Sequence, residues 1–137
     1  MMKNYLIVDI GTGNSRVALV DSDRNIKDIE TFENQYYVDN YYDDAQYFSP
    51  NYLQKQILES VKKVLARNPS VKIDAISSSG ARQSCVLVDK DLKNVIGLPN
   101  IDNRGKKYMS EIQKKEDIYI INVEKIFLFF IKKSLTK

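Results

Sequence analysis

The sequence has little of several residue types on which common catalytic sites depend. Its 137 residues include one cysteine, three prolines, five glycines and neither histidine nor tryptophan. Without histidine, these residues can supply neither an imidazole base nor an imidazole metal ligand, so both kinds of site are excluded. The lone cysteine, Cys85, cannot form a disulfide within the chain, which favours a reducing compartment such as the cytoplasm.

Long apolar runs and one-sided charge are also scarce. The most apolar stretch, 118–131, is interrupted by Asn122, Glu124 and Lys125, and it falls short of the ~20 apolar residues that span a bilayer. The net charge is +3, and residues 1–113 carry 15 basic and 15 acidic side chains. A balanced body lacks the clustered cations that nucleic-acid binding requires. We therefore expect a cytoplasmic protein with neither a membrane nor a nucleic acid as partner.

The apolar pattern predicts an α/β fold. Two short apolar runs, 5–10 and 17–20, and an alternating segment, 26–32, are joined by polar turns and predict an antiparallel three-strand meander. Ser49 and Pro50 are typical of a helix start, and Asn68-Pro69 ends that helix. Further strands are predicted at 73–77, 84–89 and 95–98, in one mixed sheet with the meander, and a second helix is predicted from Asp102 to about 113.

The tyrosine-rich segment 34–49 is predicted to be a loop. Its aromatic side chains either pack on the body of the domain, or form a flap over a binding cleft or a contact between copies. Both interpretations stay open at the level of the sequence.

The segment from Asp9 to Arg16 has the composition of a phosphate-binding hairpin. It is not a dinucleotide fingerprint, because Arg16 occupies the third glycine position and a strand follows where a helix is required. Its two glycines allow backbone N–H groups to approach an anion closely, and its polar residues add donors. An acid at this place would repel phosphate unless Mg²⁺ lay between them. The candidate phosphate-binding residues are Gly11, Thr12, Gly13, Asn14, Ser15 and Arg16, with Asp9 as candidate Mg²⁺ ligand; an ordinary polar type I′ turn is the alternative.

Two stretches of the sequence resemble known families. Asp-Ile-Gly-Thr-Gly-Asn-Ser-Arg at 9–16 is similar to the first phosphate motif of the superfamily of actin, heat-shock chaperones and sugar kinases. The segments 76–90 and 97–105 resemble the FGGY family of carbohydrate kinases, through Ser-x-x-Gly, an apolar strand ending in Asp89, and Asp102-x-Arg104. Xylulose, glycerol, gluconate and autoinducer-2 kinases share this layout. The resemblance covers residues 5 to about 113.

The resemblance implies both a fold and an activity. The fold would be an α/β, ribonuclease-H-like (actin-like ATPase) domain over 1–113, with a mixed sheet, the three-strand meander and flanking helices, followed by a divergent tail over 114–137. The activity would be ATP-dependent transfer of the γ-phosphate to a sugar or polyol hydroxyl, with Mg²⁺. Relatives similar to glycerol kinase place an Arg-Glu pair on substrate hydroxyls, and Arg82-Gln83 occupies those positions. Asp102 and Arg104 match the family's Asp-x-Arg, and Asn100 replaces a frequent aromatic, so the identity of the sugar stays open.

The same resemblance places the general base in a second domain, so no catalytic residue is assigned among these 137. We expect a truncated chain that is inactive by itself and that self-associates through its uncovered face. The alternatives are a non-catalytic sugar- or phosphate-binding module, and another actin-like ATPase domain. Arg82 could also be a surface arginine, Asp102 a helix cap and Cys85 a core residue.

Overall fold

A four-stranded mixed sheet with one helix on its face forms the centre of the protein. The computed structural model describes residues 2–91 and 93–108. Contacts divide the chain into two units, Met1–Arg104 and Gly105–Lys137; the first holds every strand and the α-helix described below, and a 3₁₀ turn at Lys106–Tyr108 is the described structure of the second. The elements are β1 (Asn4–Ile10), β2 (Asn14–Asp21), β3 (Ile26–Glu33), β4 (Tyr37–Val38), β5 (Gln46–Tyr47), α1 (Pro50–Arg67), β6 (Ala75–Ser79), β7 (Cys85–Val88) and β8 (Asn94–Leu98).

The order of the main sheet is β3-β2-β1-β6. The first three strands form the predicted antiparallel meander, and β6 pairs with β1 in parallel. Because β1 and β6 run in the same direction, Asp9 and Ser79 lie side by side where the two strands end. Polar side chains from the two strands therefore meet at their carboxyl ends.

The prediction that residues 73–98 complete a single sheet is wrong for β7 and β8. These strands pair with each other in a separate antiparallel hairpin. The chain changes direction after β6 at Gln83, whose φ of 60 lies in the left-handed region. Asp89 then accepts hydrogen bonds from the backbone N–H groups of Asp91 and Lys93, both at 2.9 Å, and this turn closes β7 onto β8.

Two further expectations need correction. The predicted loop at 34–49 contains the hairpin β4–β5, in which the Tyr37 and Tyr47 rings stack at 5.2 Å. The predicted helix from Asp102 is absent over 102–105, which are irregular or turn residues, and a 3₁₀ turn follows. Asp102 is not a helix cap, because its carboxylate accepts hydrogen bonds from Gln46 and Arg104. Residues 109–113 of that predicted helix lie outside the described residues.

The core lies between the sheet and α1. Its buried members are Leu6 and Val8 of β1, Val17 and Leu19 of β2, and Val64 of α1. Burying a side chain of this size stabilises the fold by roughly 1.5–3 kcal/mol. The helix begins as predicted, with the Ser49 hydroxyl accepting a hydrogen bond from the Tyr52 N–H at 3.3 Å. No helix among the described residues is both long and apolar enough to cross a membrane.

Strand β3 shows charges on the side where its sequence predicts apolar residues. Ile26 and Ile29 are exposed, whereas Asp28 and Glu30 are half-buried and face α1. Arg67 binds both carboxylates at 2.9 Å, and Lys63 binds Glu30 at 2.9 Å. The hydrogen bond from Arg67 is the main reason that the pKa of Asp28 is lowered, and the bond from Lys63 is the main reason for Glu30. Helix and sheet are thus joined at this edge by ion pairs.

We predict that Arg67→Gln lowers stability in a pH-dependent way. Because the folded-state pKa values of Asp28 and Glu30 are lowered, their contribution is present above the unfolded-state values of about 4 and is lost as the pH falls through the folded-state values. The stability advantage of the wild type over Arg67→Gln should therefore be full at pH 6 and vanish once both carboxylates are protonated. Urea denaturation at a series of pH values measures it.

Lys55→Gln is the matched control, since Lys55 and Glu59 are both exposed and 4.0 Å apart. Such a pair contributes little, so this variant should follow the wild type at every pH. An advantage over Arg67→Gln that is independent of pH would contradict the ionic account.

Candidate functional site

Asp9 stands at the end of β1 with two partners. Its Oδ1 accepts a hydrogen bond from the Ser79 hydroxyl at 2.6 Å, and its Oδ2 lies 3.3 Å from Arg16 Nη1. The carboxylate is 46% exposed, so it is open to a ligand. No group of three or more acidic, cysteine or histidine side chains gathers anywhere in 2–91 or 93–108. A single open carboxylate suits Mg²⁺, which commonly takes one or two protein carboxylates and completes its shell with phosphate oxygens and water.

The turn between β1 and β2 is not a type I′ turn. That turn needs positive φ at both central residues, and neither Thr12 nor Gly13 has it. Gly11 is required for a different reason: its N–H donates to the Asn14 carbonyl at 3.1 Å, and a Cβ on Gly11 would lie 2.5 Å from that oxygen. A Cβ on Gly13 would meet nothing within 4 Å. The alternative of an ordinary type I′ hairpin is therefore wrong.

Asn34 and Tyr36 bind the carbonyl oxygens of this turn. The Asn34 side-chain amide donates to the carbonyl oxygens of Gly11 at 2.7 Å and Thr12 at 3.2 Å, and the Tyr36 hydroxyl donates to the Thr12 carbonyl. The Asn34 backbone N–H donates to the Gly13 carbonyl at 2.9 Å. Three successive carbonyl oxygens of the turn are thus bound from one side.

This arrangement fixes where the N–H groups of the turn point. In a trans peptide the C=O and N–H of one unit point in opposite directions, and none of the described peptides is cis. Because the Gly11 and Thr12 carbonyls point toward Asn34 and Tyr36, the N–H groups of Thr12 and Gly13 point the opposite way. No described residue accepts a hydrogen bond from either of them. Two consecutive backbone N–H groups that point the same way and have no acceptor in the described residues are suited to bind an anion.

The Ser15 hydroxyl does not point outward as the N–H groups of Thr12 and Gly13 do. The Ser15 side chain is fully buried, and its hydroxyl donates to Asn34 Oδ1 at 2.7 Å. The hydroxyl proton is therefore engaged in holding Asn34, which in turn holds the carbonyls of the turn. Ser15 was predicted to donate to phosphate, and the geometry gives it a structural task instead.

Arg82 and Gln83 lie on the turn that follows β6, the strand that ends at Ser79. Both side chains are exposed, and no described residue forms an ion pair or hydrogen bond with either. The neighbouring Ser84 hydroxyl accepts a hydrogen bond from the Asn100 N–H at 3.2 Å. Asn100 also binds Thr12 through its side chain, at 3.0 and 3.2 Å. The structure therefore brings the 80–84 turn and the candidate phosphate turn at 11–14 to the same region.

Asp102 and Arg104 are placed differently, because their polar atoms face the protein. Asp102 Oδ2 binds Arg104 Nε at 2.6 Å, and its Oδ1 accepts from the Gln46 N–H at 3.0 Å. The Asp102 side chain is 8% exposed. Asp102 and Arg104 bind each other and the hairpin β4–β5.

A cavity of about 590 Å³ opens beside the turn. Of the candidate residues, Gly11 alone among those described lines it. Its walls are mainly apolar and include Phe48 and Ile57. Cys85 also lines it and is exposed, so the expectation that Cys85 is a core residue is wrong.

Comparison with known proteins decides the family. The model of the N-terminal domain of the FGGY family of carbohydrate kinases matches residues 4–136. The chain belongs to the FGGY family. A Bacillus subtilis (strain 168) protein, named "Putative sugar kinase YoaC", is 40% identical over 117 residues, which are 85% of this chain and 24% of that protein. The chain therefore spans about a quarter of the length of this curated relative.

Solved sugar-kinase structures share the fold. Glycerol kinase of Plasmodium falciparum, determined with ADP, matches with a TM-score of 0.76 at 16% identity, over 85% of this chain and 24% of that one. Xylulose kinase of Lactobacillus acidophilus matches with a TM-score of 0.67 at 19% identity, over 82% and 23%. The actin-like, ribonuclease-H-like fold predicted from the sequence is thereby confirmed.

The sequence of this FGGY chain did not indicate that Asn34 and Tyr36 bind the turn. The nearest available signal was an Asn at the end of the third predicted strand, followed two residues later by a Tyr. Neither residue belongs to the turn it holds, since 19 or more residues separate Asn34 from its side-chain partners. Only the pairing of β2 with β3, which sets Asn14 opposite Glu33, brings the segment against the turn.

We predict that Gly11→Ala and Gly13→Ala have opposite effects on stability. The Cβ at position 11 would overlap the Asn14 carbonyl oxygen, and relief of such a contact costs about 1–3 kcal/mol. At position 13 there is space and no positive φ, so alanine should be neutral or stabilise by up to ~1 kcal/mol through the unfolded state. Urea denaturation of the two variants side by side tests this, and equal losses would show that the turn is not packed as described.

Proposed function

We propose that this chain is the part of an ATP-dependent carbohydrate kinase that holds the transferring phosphate and the sugar or polyol acceptor. The observation that carries the proposal is the pair of outward N–H groups at Thr12 and Gly13, fixed by Asn34 and Tyr36. Membership of the family supports phosphoryl transfer to a carbohydrate. The ADP in the glycerol kinase neighbour supports a nucleotide as phosphate donor.

The phosphate end of the site combines backbone donors with one carboxylate. Thr12 and Gly13 would donate to phosphate oxygens, while Thr12 and Asn14 side chains lie at the same turn. Asp9 would hold Mg²⁺, with Ser79 orienting the carboxylate through its 2.6 Å hydrogen bond. When bound, Mg²⁺ neutralises phosphate charge and polarises the phosphoryl group. Arg16, 3.3 Å from Asp9, keeps the carboxylate oriented and adds positive charge near the phosphate.

The sugar end of the site is proposed to be the turn at Arg82 and Gln83. Their side chains have no described partner, so a guanidinium and an amide are available to sugar hydroxyls. A hydroxyl that lacks its partner in such a site costs about 1–3 kcal/mol, which allows hydroxyl patterns to be distinguished. Asp102 and Arg104 are not included here, because their polar atoms already bind the protein.

The proposal assigns binding to this chain and leaves proton abstraction from the acceptor hydroxyl elsewhere. The family resemblance places that base outside these residues, and the chain corresponds to 24% of the length of its curated relative. Phosphoryl transfer depends on positioning between two closing parts of a kinase, so binding by one part alone is expected to be weak.

We predict that the 137-residue chain binds a polyol weakly through Arg82 and transfers no phosphate. Ligand-observed NMR with glycerol and xylulose should show binding that falls about tenfold in Arg82→Gln, the equivalent of one charged hydrogen bond. A coupled assay with ATP and Mg²⁺ should show no turnover above a heat-denatured sample.

Arg24→Gln is the matched control, since Arg24 is an equally exposed turn arginine at the opposite end of β2 from the phosphate turn. Equal affinities in the two variants would refute the role of Arg82. Absence of binding by either polyol would refute the acceptor-holding function for these sugars, and turnover above the control would refute the placement of the base.

A further inference from the structure

A short segment, 99–104, joins the phosphate turn to the hairpin β4–β5, and we refer to it as the strap. At one end Asn100 binds the Thr12 hydroxyl at 3.0 and 3.2 Å. At the other end Asp102 and Arg104 bind the hairpin. The strap therefore contacts the turn directly, and it also contacts the hairpin that follows Asn34 and Tyr36 in the chain.

All three guanidinium nitrogens of Arg104 have a protein partner. Its Nη1 lies 3.3 Å from Asp39, just after β4, and its Nη2 donates to the Gln46 carbonyl of β5 at 3.3 Å. Its Nε binds Asp102 at 2.6 Å, and its charge lies 5.6 Å from the centre of the Tyr42 ring. A planar fork can make this set of contacts and an ammonium cannot. Arg104 thus joins β5, through Gln46, to the loop that connects the two strands, through Asp39 and Tyr42.

Asp102 completes the closure. Its Oδ1 accepts the N–H of Gln46 at 3.0 Å, and its Oδ2 holds Arg104. The side chain is 8% exposed and each of its oxygens already has a protein partner, so Asp102 is directed at the protein and little of it is open to a sugar hydroxyl.

The base of the hairpin is continuous with the support of the phosphate turn. Tyr36 precedes β4 and Phe48 follows β5, and their rings meet edge to face at 6.4 Å. Phe48 is fixed to β8 by two backbone hydrogen bonds with Gly97, at 2.9 and 3.0 Å. A Cβ on Gly97 would lie 2.3 Å from the Phe48 ring, so the ring packs directly on the backbone. Through this packing the Tyr36 ring, whose hydroxyl binds the Thr12 carbonyl, is joined to the base of the hairpin.

We propose that Asp102 and Arg104 are positioning residues that keep the hairpin closed, so that Tyr36 and Asn34 orient the N–H groups of the phosphate turn. This replaces the expectation that they bind the sugar. The importance of the device for catalysis rests on the proposed function, but the mechanical link between strap, hairpin and turn can be measured without any ligand.

Hydrogen exchange of single amides in the ligand-free 137-residue chain, followed by NMR, tests the link. Arg104→Lys retains the charge and removes the fork. The hairpin amides of Asp39 and Gln46, and the turn-bound amides of Gly11 and Asn34, should lose about tenfold or more in protection, as expected for lost hydrogen bonds to a charged group. The amide of Leu19, in the core, should not change.

Arg67→Lys is the matched control. Arg67 also binds two acidic groups, on β3, and it does not contact the strap or the hairpin. This variant should affect amides near α1 and β3 and leave Asp39 and Gln46 as in the wild type. A general loss of stability would lower protection in both variants alike, so the comparison separates positioning from stability.

Tyr36→Phe provides a second and milder test, which still decides the matter if Arg104→Lys does not fold. It removes the hydroxyl on the Thr12 carbonyl and keeps the ring on Phe48. Protection of the Gly11 amide should fall while that of Gln46 stays. Loosening of the hairpin in Arg104→Lys without any change at Gly11 and Asn34, or an unchanged Gly11 amide in Tyr36→Phe, would overturn the proposal.

A binding arm separates this proposal from the proposed function. Mg²⁺ with pyrophosphate is the probe, and ³¹P NMR measures its affinity for the wild type and for Arg104→Lys. A weaker affinity in the variant supports positioning of the phosphate turn. If the wild type does not bind pyrophosphate, the proposed function fails while the exchange data still decide the link; if both proteins bind it equally, the link does not serve phosphate binding.

Discussion

The carbonyl oxygens of Gly11 and Thr12 are bound by Asn34 and Tyr36, and much of the candidate site depends on that interaction. A peptide unit is planar and trans, so fixing the direction of a carbonyl also fixes the direction of the N–H in the same unit. The side chains of Asn34 and Tyr36 thereby determine the direction in which the N–H groups of Thr12 and Gly13 point. An anion bound at this turn would need no cationic side chain, because its donors would be peptide N–H groups.

Around this turn the sheet topology brings the remaining chemistry into place. The parallel pairing of β1 with β6 sets Asp9 beside Ser79 and directs the chain into the turn that carries Arg82 and Gln83. The antiparallel pairing of β2 with β3 brings Asn34 under the turn. An acid that would repel phosphate, the donors that would bind it and the side chains for the acceptor therefore converge at the ends of strands. This convergence is a property of the strand order, which a linear sequence does not display.

Local signals explain which parts of the fold could be predicted. The Ser49 cap, Pro50 and the Asn68 end defined α1 because capping depends on residues three or four positions away. The meander was predictable because short apolar runs were separated by polar turns. The charged side of β3 was not, since Asp28 and Glu30 become half-buried only through Arg67 and Lys63, more than 30 residues further on. The roles of Asn34, Tyr36 and Ser15 also depend on partners far away in the sequence, so local signals did not predict them.

The family resemblance identified segments that lie near one another in the structure, but it did not predict the contacts of single residues within them. The Asp-x-Arg at 102 and 104 was predicted to bind the sugar, and the structure shows both side chains bound to each other and to a hairpin. Cys85 was expected as a core residue, yet it is exposed, and its neighbours Val86, Leu87 and Val88 are 43–49% exposed. A family pattern records that a residue type is needed at a position, and only its contacts show what it does there.

The central claim is that Thr12 and Gly13 present their N–H groups to phosphate. Titrating the ¹⁵N-labelled 137-residue chain with pyrophosphate and Mg²⁺ tests it most directly, because each amide reports separately. We expect saturable downfield shifts of the Thr12 and Gly13 amide protons. These shifts should be larger than those of any other described amide, and they should be lost in Asn34→Ala. Unchanged shifts at Thr12 and Gly13, or larger ones at lysine-rich surface positions such as Lys62 and Lys63, would contradict it.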